Sequence, residues 1–242
     1  MGYLGEAWRA YREHFAVLAT LGIASVVLTT LLSYTHASIL STYVTPLLTI
    51  AAYKAVEGAI NWKGAAVQAL RAWIAQMLVG IGLALAFGLI FVVAFMAALA
   101  DPAVGIALSV GLGILVILVA VRFIFIPYFA HRGYDPLETI KKSWKRGWKP
   151  AIIAGLEVLL ICIMSGLLAL GIAFPAIKAT ITSVKTTLQS LPKEQVEAAI
   201  LNAAWATITA PENIGFVIAA MAVWGLFTPL AWLVIYFGAK EE

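Results

Sequence analysis

Residues 73–100 read WIAQMLVGIGLALAFGLIFVVAFMAALA, a stretch without one Asp, Glu, Lys or Arg. A helix needs about 20 apolar residues to cross the hydrocarbon core of a bilayer. Backbone that faces lipid has to satisfy its own hydrogen bonds, which a helix does and an irregular segment does not. This stretch is therefore predicted to be a membrane-spanning helix.

Five other segments share this apolar character. The six predicted spans together cover about 15–34, 39–56, 73–100, 103–130, 151–177 and 214–237. Hydrophobic residues make up 63% and charged residues 12% of the 242 positions, whereas soluble domains carry about 25% charged residues. The sequence predicts one all-α integral membrane domain over 1–242, a polytopic helical bundle, and excludes a soluble globular protein.

Short polar connections group the six spans into three helical hairpins. Polar residues 33–36 follow the first span, and Asp101 with Pro102 forms a tight turn after the third. Segment 179–213 is expected to make a helical cap on the outer face, with a helix from Pro192 to Thr209. Proline lacks a backbone donor, so Pro46 and Pro229 are predicted to kink spans two and six.

Amphipathic segments precede spans one, three and five, within 4–15, 61–73 and 136–149. In the last of them apolar side chains recur every three or four residues, at Leu137, Ile140, Trp144 and Trp148. Asp135 followed by Pro136 is typical of a helix start, as N-cap and first-turn proline. We therefore predict three repeats of an interfacial helix followed by a two-span hairpin.

Positive charge is distributed unevenly between the two sides of the predicted bundle. With six spans both termini lie on one side, and 13 of the 16 Lys and Arg residues fall on or near that side. The positive-inside rule then places both termini in the cytoplasm. The sequence predicts a multi-pass protein of the cell membrane.

The amphipathic segment before span five is also strongly basic. Each basic residue near an anionic surface contributes about 1 kcal/mol of attraction, and Trp side chains favour headgroup depth. The alternative is ordinary anchoring of the topology, which needs no specific lipid. The candidate contacts to anionic lipid are Lys141, Lys142, Trp144, Lys145, Arg146, Trp148 and Lys149.

Two ionisable side chains lie inside the predicted spans, Arg122 in the fourth and Glu157 in the fifth. Both are expected at roughly 10 Å from the inner surface, counting 1.5 Å per residue. We hypothesise an ion pair between them. It could serve only to lock the two helices together, each side chain could instead reach the interface separately, or the pair could take part in transport or gating.

The sequence carries no pattern typical of a catalytic, cofactor or metal site. The single cysteine, Cys162, lies in an apolar run, and His14, His36 and His131 are scattered along the chain. A nucleotide-binding loop and a carboxylate pair at catalytic spacing are also absent. We expect a non-enzymatic protein without cofactors and without a nucleic-acid partner.

Two short motifs are similar to elements of the glycerophosphodiester phosphodiesterase active site, His131-Arg132-Gly133 and Pro211-Glu212-Asn213. In those enzymes the two elements are close in sequence and share one barrel. Here two spans separate them, and the charge topology places them on opposite sides of the membrane. We interpret this match as coincidence.

A second resemblance rests on the overall layout of the chain. The layout resembles the helical membrane domain that accompanies some bacterial glycerophosphodiester phosphodiesterases, and related prokaryotic membrane proteins of unassigned function. No barrel pattern of the hydrolase accompanies it here, so the resemblance implies an accessory or regulatory role in the membrane. The residues that carry it are Trp8 to Phe15, Pro127, Asp135-Pro136-Leu137, Ile140, Ser143-Trp144 and Trp148.

We therefore expect a non-enzymatic membrane protein that organises lipid or a partner membrane complex. The alternative is a small transporter or channel, which Pro46 and Pro229 favour because broken helices often line transport sites. Few polar groups line the spans, which disfavours that alternative. The expected partners are membrane lipids, anionic on the cytoplasmic side. The sequence also allows a homo-oligomer or a larger membrane complex and does not decide between them.

Overall fold

A computed structural model describes residues 2–33, 38–190 and 196–240 of the chain. Within these ranges the chain forms helices and no strand, so the predicted all-α class is confirmed. The helices are α1 (Leu4–Glu13), α2 (Phe15–Ser33), α3 (Ser38–Val56), α4 (Trp62–Ala100), α5 (Pro102–Val121), α6 (Ile126–His131), α7 (Pro136–Lys145), α8 (Trp148–Ser190), α9 (Val196–Ile208) and α10 (Pro211–Lys240).

Six helical stretches are long and apolar enough to cross a membrane, in agreement with the six predicted spans. They pack pairwise, α2 with α3, α4 with α5, and α8 with α10. The stretches are Phe15–Ser33, Ile39–Val56, Trp62–Leu99, Pro102–His131, Trp148–Thr186 and Pro211–Lys240.

Helix α4 corrects the prediction of a separate interfacial helix before span three. It runs without a break from Trp62 to Ala100, and the side chain of its N-cap, Asn61, accepts a 3.1 Å hydrogen bond from the backbone N–H of Gly64. No proline occurs between these ends to stop the helix. The other two interfacial helices are distinct, because α1 ends before His14 and a left-handed Gly147 (φ +98°) separates α7 from α8.

The predicted span 103–130 is interrupted in the structure. Helix α5 ends at Val121 and α6 begins at Ile126, with turns over residues 122–125 between them. Pro127 lies in the first turn of α6. Proline in the first turn of a helix costs no hydrogen bond, which favours a new helix start here. Arg122 is the C-cap of α5 at this break and is only 7% exposed.

The outer segment is helical for most of its described length. Helix α8 continues to Ser190, well past the predicted end of span five at 177, and α9 follows as a separate helix. The start of the predicted cap helix at Pro192 falls in 191–195, outside the described residues. Most of the predicted turn at 33–36, including His36, also lies outside them.

Helix α10 is the centre of the bundle and packs against α1, α2, α3 and α8. It approaches α2 closely, since a Cβ on Gly22 would lie 2.0 Å from the carbonyl oxygen of Gly225 and 2.6 Å from the ring of Pro229. Pro46 and Pro229 both lie inside continuous helices and are fully buried. A third proline, Pro175, lies inside α8, and the sequence analysis did not single it out.

The first and the last described helical turns lie at one end of the bundle. A Cβ on Gly238 would lie 3.1 Å from the ring of Tyr3 and 3.2 Å from that of Phe125. Glu57 and His131 lie at the same end, next to Tyr236. We call this end, with Tyr3, Glu57, His131 and Gly238, the terminal face.

Candidate functional site at the terminal face

Glu57 is the centre of a polar network that joins three helices. It follows the last residue of α3, His131 ends α6, and Tyr236 lies in the last turns of α10. Nε2 of His131 lies 3.0 Å from one carboxylate oxygen of Glu57, and the Tyr236 hydroxyl donates a 2.9 Å hydrogen bond to the other. Nη1 of Arg132 lies 3.9 Å from that second oxygen. The network fastens the ends of α3, α6 and α10 to each other.

Aromatic rings enclose this network on its inner side. The ring of the fully buried Tyr53 lies 5.1 Å from that of Tyr236 and 5.6 Å from that of His131, centroid to centroid. Tyr128 packs on Tyr236 at 5.6 Å. The Tyr53 hydroxyl and Nδ1 of His131 are buried and have no hydrogen-bond partner among the described residues. Such groups cost stability, so the packing around the network has to offset that cost.

The electrostatics of the network keep Glu57 ionised. Burial opposes its ionisation, but hydrogen bonds from His131 and Tyr236 and the nearby charges of His131 and Arg132 together hold the pKa of Glu57 below its usual 4.5. An ionised carboxylate only accepts hydrogen bonds, so Nε2 of His131 carries the hydrogen.

His131 and Arg132 belong to the motif that the sequence analysis interpreted as a coincidental match to a hydrolase. Its second half, Pro211-Glu212-Asn213, begins α10. Tyr236 lies 25 residues further along that helix, roughly 37 Å at 1.5 Å per residue. The two halves are therefore far apart in the structure, and Glu57 is the acidic partner of the first half.

Arg122 is held between two tryptophans. Its guanidinium carbon lies 5.0 Å from the ring centroid of Trp144 and 4.5 Å from that of Trp148. Its Nη2 donates to the carbonyl oxygen of Trp144, and its own carbonyl accepts a 2.9 Å hydrogen bond from the Ser143 hydroxyl. Nε and Nη1 are buried without a hydrogen-bond partner among the described residues. Stacking on indole faces stabilises such a cation, so Arg122 fixes α7 to the end of α5.

Glu157 makes a different contact. Its carboxylate lies beside the backbone N–H groups of Leu4 and Tyr3, at the start of α1, and its Oε2 is buried without a hydrogen-bond partner among the described residues. The N-cap of that helix, Tyr3, has no side-chain capping bond of its own. A Cβ on Gly2 would lie 1.8 Å from Oε1 of Glu157, so glycine permits this close approach. Glu157 therefore acts as the anionic cap of α1 from a neighbouring helix.

The predicted ion pair between Arg122 and Glu157 does not form. Among the described residues the salt bridges are those of Glu57 with His131 and Arg132. The break after α5 directs Arg122 to α7, and the partial positive charge at the start of α1 takes the Glu157 carboxylate. Similar predicted depth in the membrane does not decide pairing, because each charge has a nearer partner.

The seven candidate lipid contacts divide into three groups. Lys141, Lys145 and Lys149 are exposed. Lys142 and Arg146 are partly buried and make contacts within the protein, Lys142 with the ring of Tyr134 at 4.3 Å and Arg146 with the carbonyl of Gly238 at 3.1 Å from Nη2. The two tryptophans flank Arg122, and each is still nearly half exposed.

Three cationic side chains, two from α7 and one from its C-cap, line one cavity of about 270 Å³. Lys142, Lys145 and Arg146 surround it, with Phe129 of α6 as the apolar wall. We call it the basic cavity. Convergent ammonium and guanidinium donors at one recess are suited to an anionic group such as a phosphate.

Helix α7 packs against the protein through small polar side chains and not through its large apolar ones. Its buried side consists of the small polar residues Thr139 and Ser143, whereas Leu137 is 71% and Trp144 43% exposed. Thr139 and Ser143 let α7 approach its neighbours closely, and the Ser143 hydroxyl bonds the end of α5. The large apolar side chains therefore face outward beside Lys141, an arrangement that suits a membrane interface.

The sequence analysis did not find the central role of Glu57, Tyr53 and Tyr236. Glu57 and Tyr236 are 179 positions apart, and no local spacing connects them. Within the described ranges, no three His, Cys, Asp or Glu side chains lie close enough together to hold a metal ion. Comparisons of the chain with protein families, curated proteins and solved structures find no match.

Proposed function

We propose that this chain is a non-enzymatic integral membrane protein that organises anionic lipid at the cytoplasmic face of the cell membrane. The observation that carries the proposal is the basic cavity of Lys142, Lys145 and Arg146. The excess of Lys and Arg on the side of the termini, 13 of 16, supports a cytoplasmic position for the terminal face.

The basic cavity could bind a headgroup phosphate through cations that are already held in position. The guanidinium of Arg146 is held by the carbonyl of Gly238, and the ammonium group of Lys142 is held over the ring of Tyr134. Groups that are already ordered lose less conformational freedom when a ligand binds. The exposed Leu137 and Trp144 next to the cavity would contact the upper part of the lipid chains and the headgroup layer.

Lipid retention measured by native mass spectrometry tests this proposal. The purified protein would be equilibrated in mixed micelles with phosphatidylglycerol or with phosphatidylcholine. A triple variant, K142Q/K145Q/R146Q, removes the cations of the cavity, and K63Q/K141Q/K149Q removes three charges of the same face outside it. We expect the affinity for phosphatidylglycerol to fall about tenfold further in the cavity variant than in the control variant, a difference of about 1.4 kcal/mol.

Equal losses in both variants would mean general attraction of basic residues to an anionic surface, and would contradict a headgroup site. Preference for phosphatidylcholine in the wild type would contradict it as well. Unchanged melting temperatures of the two variants show that lost binding does not reflect lost folding.

A role as an accessory to a membrane complex is part of the same proposal. The resemblance to the membrane domain of glycerophosphodiester phosphodiesterases supports it, as does the large apolar surface of the α4–α5 hairpin, where Leu85, Leu89 and Ile106 are exposed. In a bilayer, lipid, a second copy or another membrane protein can cover this surface. The mass of the protein extracted with its native lipids would show which of these is present.

The second candidate function is a small transporter or channel. Pro46 and Pro229 favour it, since both are fully buried in adjacent helices of the central bundle, and proline-interrupted helices often line solute sites. Solute flux into liposomes tests it. Flux equal to that of protein-free vesicles is expected for the lipid-organising protein, and solute-selective flux would replace that proposal by this one.

A further inference from the structure

A second cavity lies among the membrane-spanning helices, away from the basic cavity. It has a volume of about 340 Å³ and lies between α2, α3 and α10. Five hydroxyl side chains and one indole line most of its wall. These residues are Ser25, Thr29, Thr30, Thr45, Thr228 and Trp224. We call it the hydroxyl cavity.

Most of these hydroxyls make no hydrogen bond to a residue that the structure describes. Elsewhere in the same two helices, Thr20 and Thr49 donate to the carbonyl four residues earlier, both at 2.8 Å. This local bond is the usual way in which a spanning helix satisfies a Ser or Thr side chain.

In the hydroxyl cavity, Thr228 makes that bond, to Trp224 at 2.9 Å. The side chains of Ser25, Thr29, Thr30 and Thr45 make no hydrogen bond to any other residue that the structure describes. Ser25 is only 5% exposed. Thr29 and Thr30 are half-buried, and Thr45 is exposed. Because the described residues do not engage these hydroxyls, and a hydroxyl both donates and accepts hydrogen bonds, they are available to a molecule bound in the cavity.

The cavity also lies where the two central helices carry proline. Thr45 directly precedes Pro46 in α3, and Thr228 directly precedes Pro229 in α10. Proline removes one backbone donor from each helix at this level. Hydroxyl side chains and missing backbone donors therefore occur together beside this cavity, which in membrane proteins is tolerated where the backbone lines a cavity.

The lining decides the chemical class of the ligand. No charged side chain lines the cavity, and an ion without a partner of opposite charge is strongly disfavoured at this depth. Hydroxyl groups both donate and accept hydrogen bonds, and the indole of Trp224 offers an apolar face to C–H groups. A volume of 340 Å³ corresponds to about eleven water-sized groups at about 30 Å³ each.

We propose that the hydroxyl cavity binds a small uncharged solute rich in hydroxyl groups, a short-chain polyol. The proposal is independent of the binding of anionic lipid at the terminal face. It does not require transport, since a bound polyol could equally be a regulator or a structural ligand.

Protection of an introduced thiol tests the site in the folded protein. In a Cys162→Ala background, Ser25→Cys places a thiol at the cavity and Thr20→Cys places one on the exposed side of the same helix. Only a hydrated thiol ionises and reacts with a membrane-impermeant methanethiosulfonate. We expect Ser25→Cys to react in liposomes, and erythritol to slow that reaction with increasing concentration, whereas glycerol 3-phosphate at equal concentration does not.

We expect Thr20→Cys to stay unreactive with or without erythritol. If Ser25→Cys does not react, the cavity is not open to a polar solute and the proposal is wrong. If it reacts but erythritol gives no protection, the cavity holds only water and the proposal is equally wrong. Protection by glycerol 3-phosphate as strong as that by erythritol would overturn the choice of an uncharged ligand.

Direct binding of radiolabelled erythritol gives a second, independent measurement. The wild type should bind it saturably, and Ser25→Ala combined with Thr45→Val should weaken binding about tenfold or more, as expected for two lost neutral hydrogen bonds. Thr20→Val is the matched control and should bind as the wild type does. Absence of saturable binding to the wild type, or equal binding to all three proteins, would overturn the proposal. Phosphatidylglycerol retention should be the same in all three, which separates this site from the basic cavity.

Discussion

The hydroxyl of Tyr236 donates a 2.9 Å hydrogen bond to the carboxylate of Glu57, although the two residues are 179 positions apart. The same carboxylate lies 3.0 Å from Nε2 of His131. One ionised group thus connects the ends of α3, α6 and α10 at the terminal face. We infer that this network holds the face in shape, and that the neighbouring basic cavity depends on it.

Loss of the Tyr236 hydroxyl should destabilise the protein without changing its topology. Tyr236→Phe removes a donor to a charged acceptor, a bond worth about 1.5–3 kcal/mol when buried. Glu57 keeps His131 and partial contact with water, so we expect the lower end of that range. Thermal unfolding in detergent measures the change.

Tyr134→Phe is the matched control for this substitution. The ring of Tyr134 remains against Lys142 in that variant, and its unfolding should resemble that of the wild type. Equal melting temperatures for wild type and Tyr236→Phe would contradict a stabilising role of the network.

Acid should weaken the fold through Glu57. Because the pKa of Glu57 is lowered by folding, the carboxylate stabilises the protein above its usual pKa of 4.5, and this contribution is lost as the pH falls through the lowered value. Glu57 is 37% exposed, so screening by solvent limits the effect to about 1 kcal/mol or less. Melting temperatures of wild type and Glu57→Gln between neutral pH and pH 4 measure it.

Glu57→Gln should be less stable than the wild type at neutral pH and should lose less stability on acidification. Parallel pH profiles for the two proteins would show that the charge of Glu57 does not stabilise the fold.

Arg122 and Glu157 should contribute to stability independently. Arg122→Ala removes the stacking on Trp144 and Trp148, and Glu157→Ala removes the cap of α1. The two side chains share no hydrogen-bond partner, so the losses in the double variant should add to within about 0.5 kcal/mol. The unfolding free energies of the wild type, the two single variants and the double variant complete this cycle. A coupling energy above about 1 kcal/mol would support a direct ion pair between Arg122 and Glu157.

The contact between α2 and α10 should tolerate nothing larger than glycine at position 22. In Gly22→Ala the new Cβ would lie 2.0 Å from the Gly225 carbonyl oxygen and 2.6 Å from Pro229. Overpacking of this kind costs about 1–3 kcal/mol. Gly80→Ala in α4 is the control, since nothing lies within 4 Å of its new methyl group.

Gly80→Ala should be neutral or stabilising by about 0.5–1 kcal/mol, the gain from lower backbone entropy in the unfolded chain. If both alanine variants unfold alike, the close contact between the two helices is not part of the folded protein in the membrane.

Local features of the chain were enough to predict much of the fold. The apolar length of 73–100 and of the other spans predicted membrane-spanning helices, because a helix satisfies its own backbone hydrogen bonds in hydrocarbon, where no water is available. Asp135 with Pro136 correctly predicted the start of α7, where the Asp135 side chain accepts a 2.9 Å hydrogen bond from the backbone N–H of Glu138. Each of these features lies within a few neighbouring residues and so can be recognised in the sequence alone.

Tertiary structure decided the partners of the polar and charged side chains. Depth along a helix can be counted from the sequence, but the direction of a side chain around the helix depends on breaks and packing elsewhere. The interruption before Pro127 directs Arg122 to Trp144 and Trp148, and the start of α1 reaches Glu157 instead. Likewise, the pairing of Glu57 with Tyr236 and the clustering of unpaired hydroxyls around Ser25 exist only once distant helices pack, because hydrogen bonds act over about 3 Å of space and not along the chain.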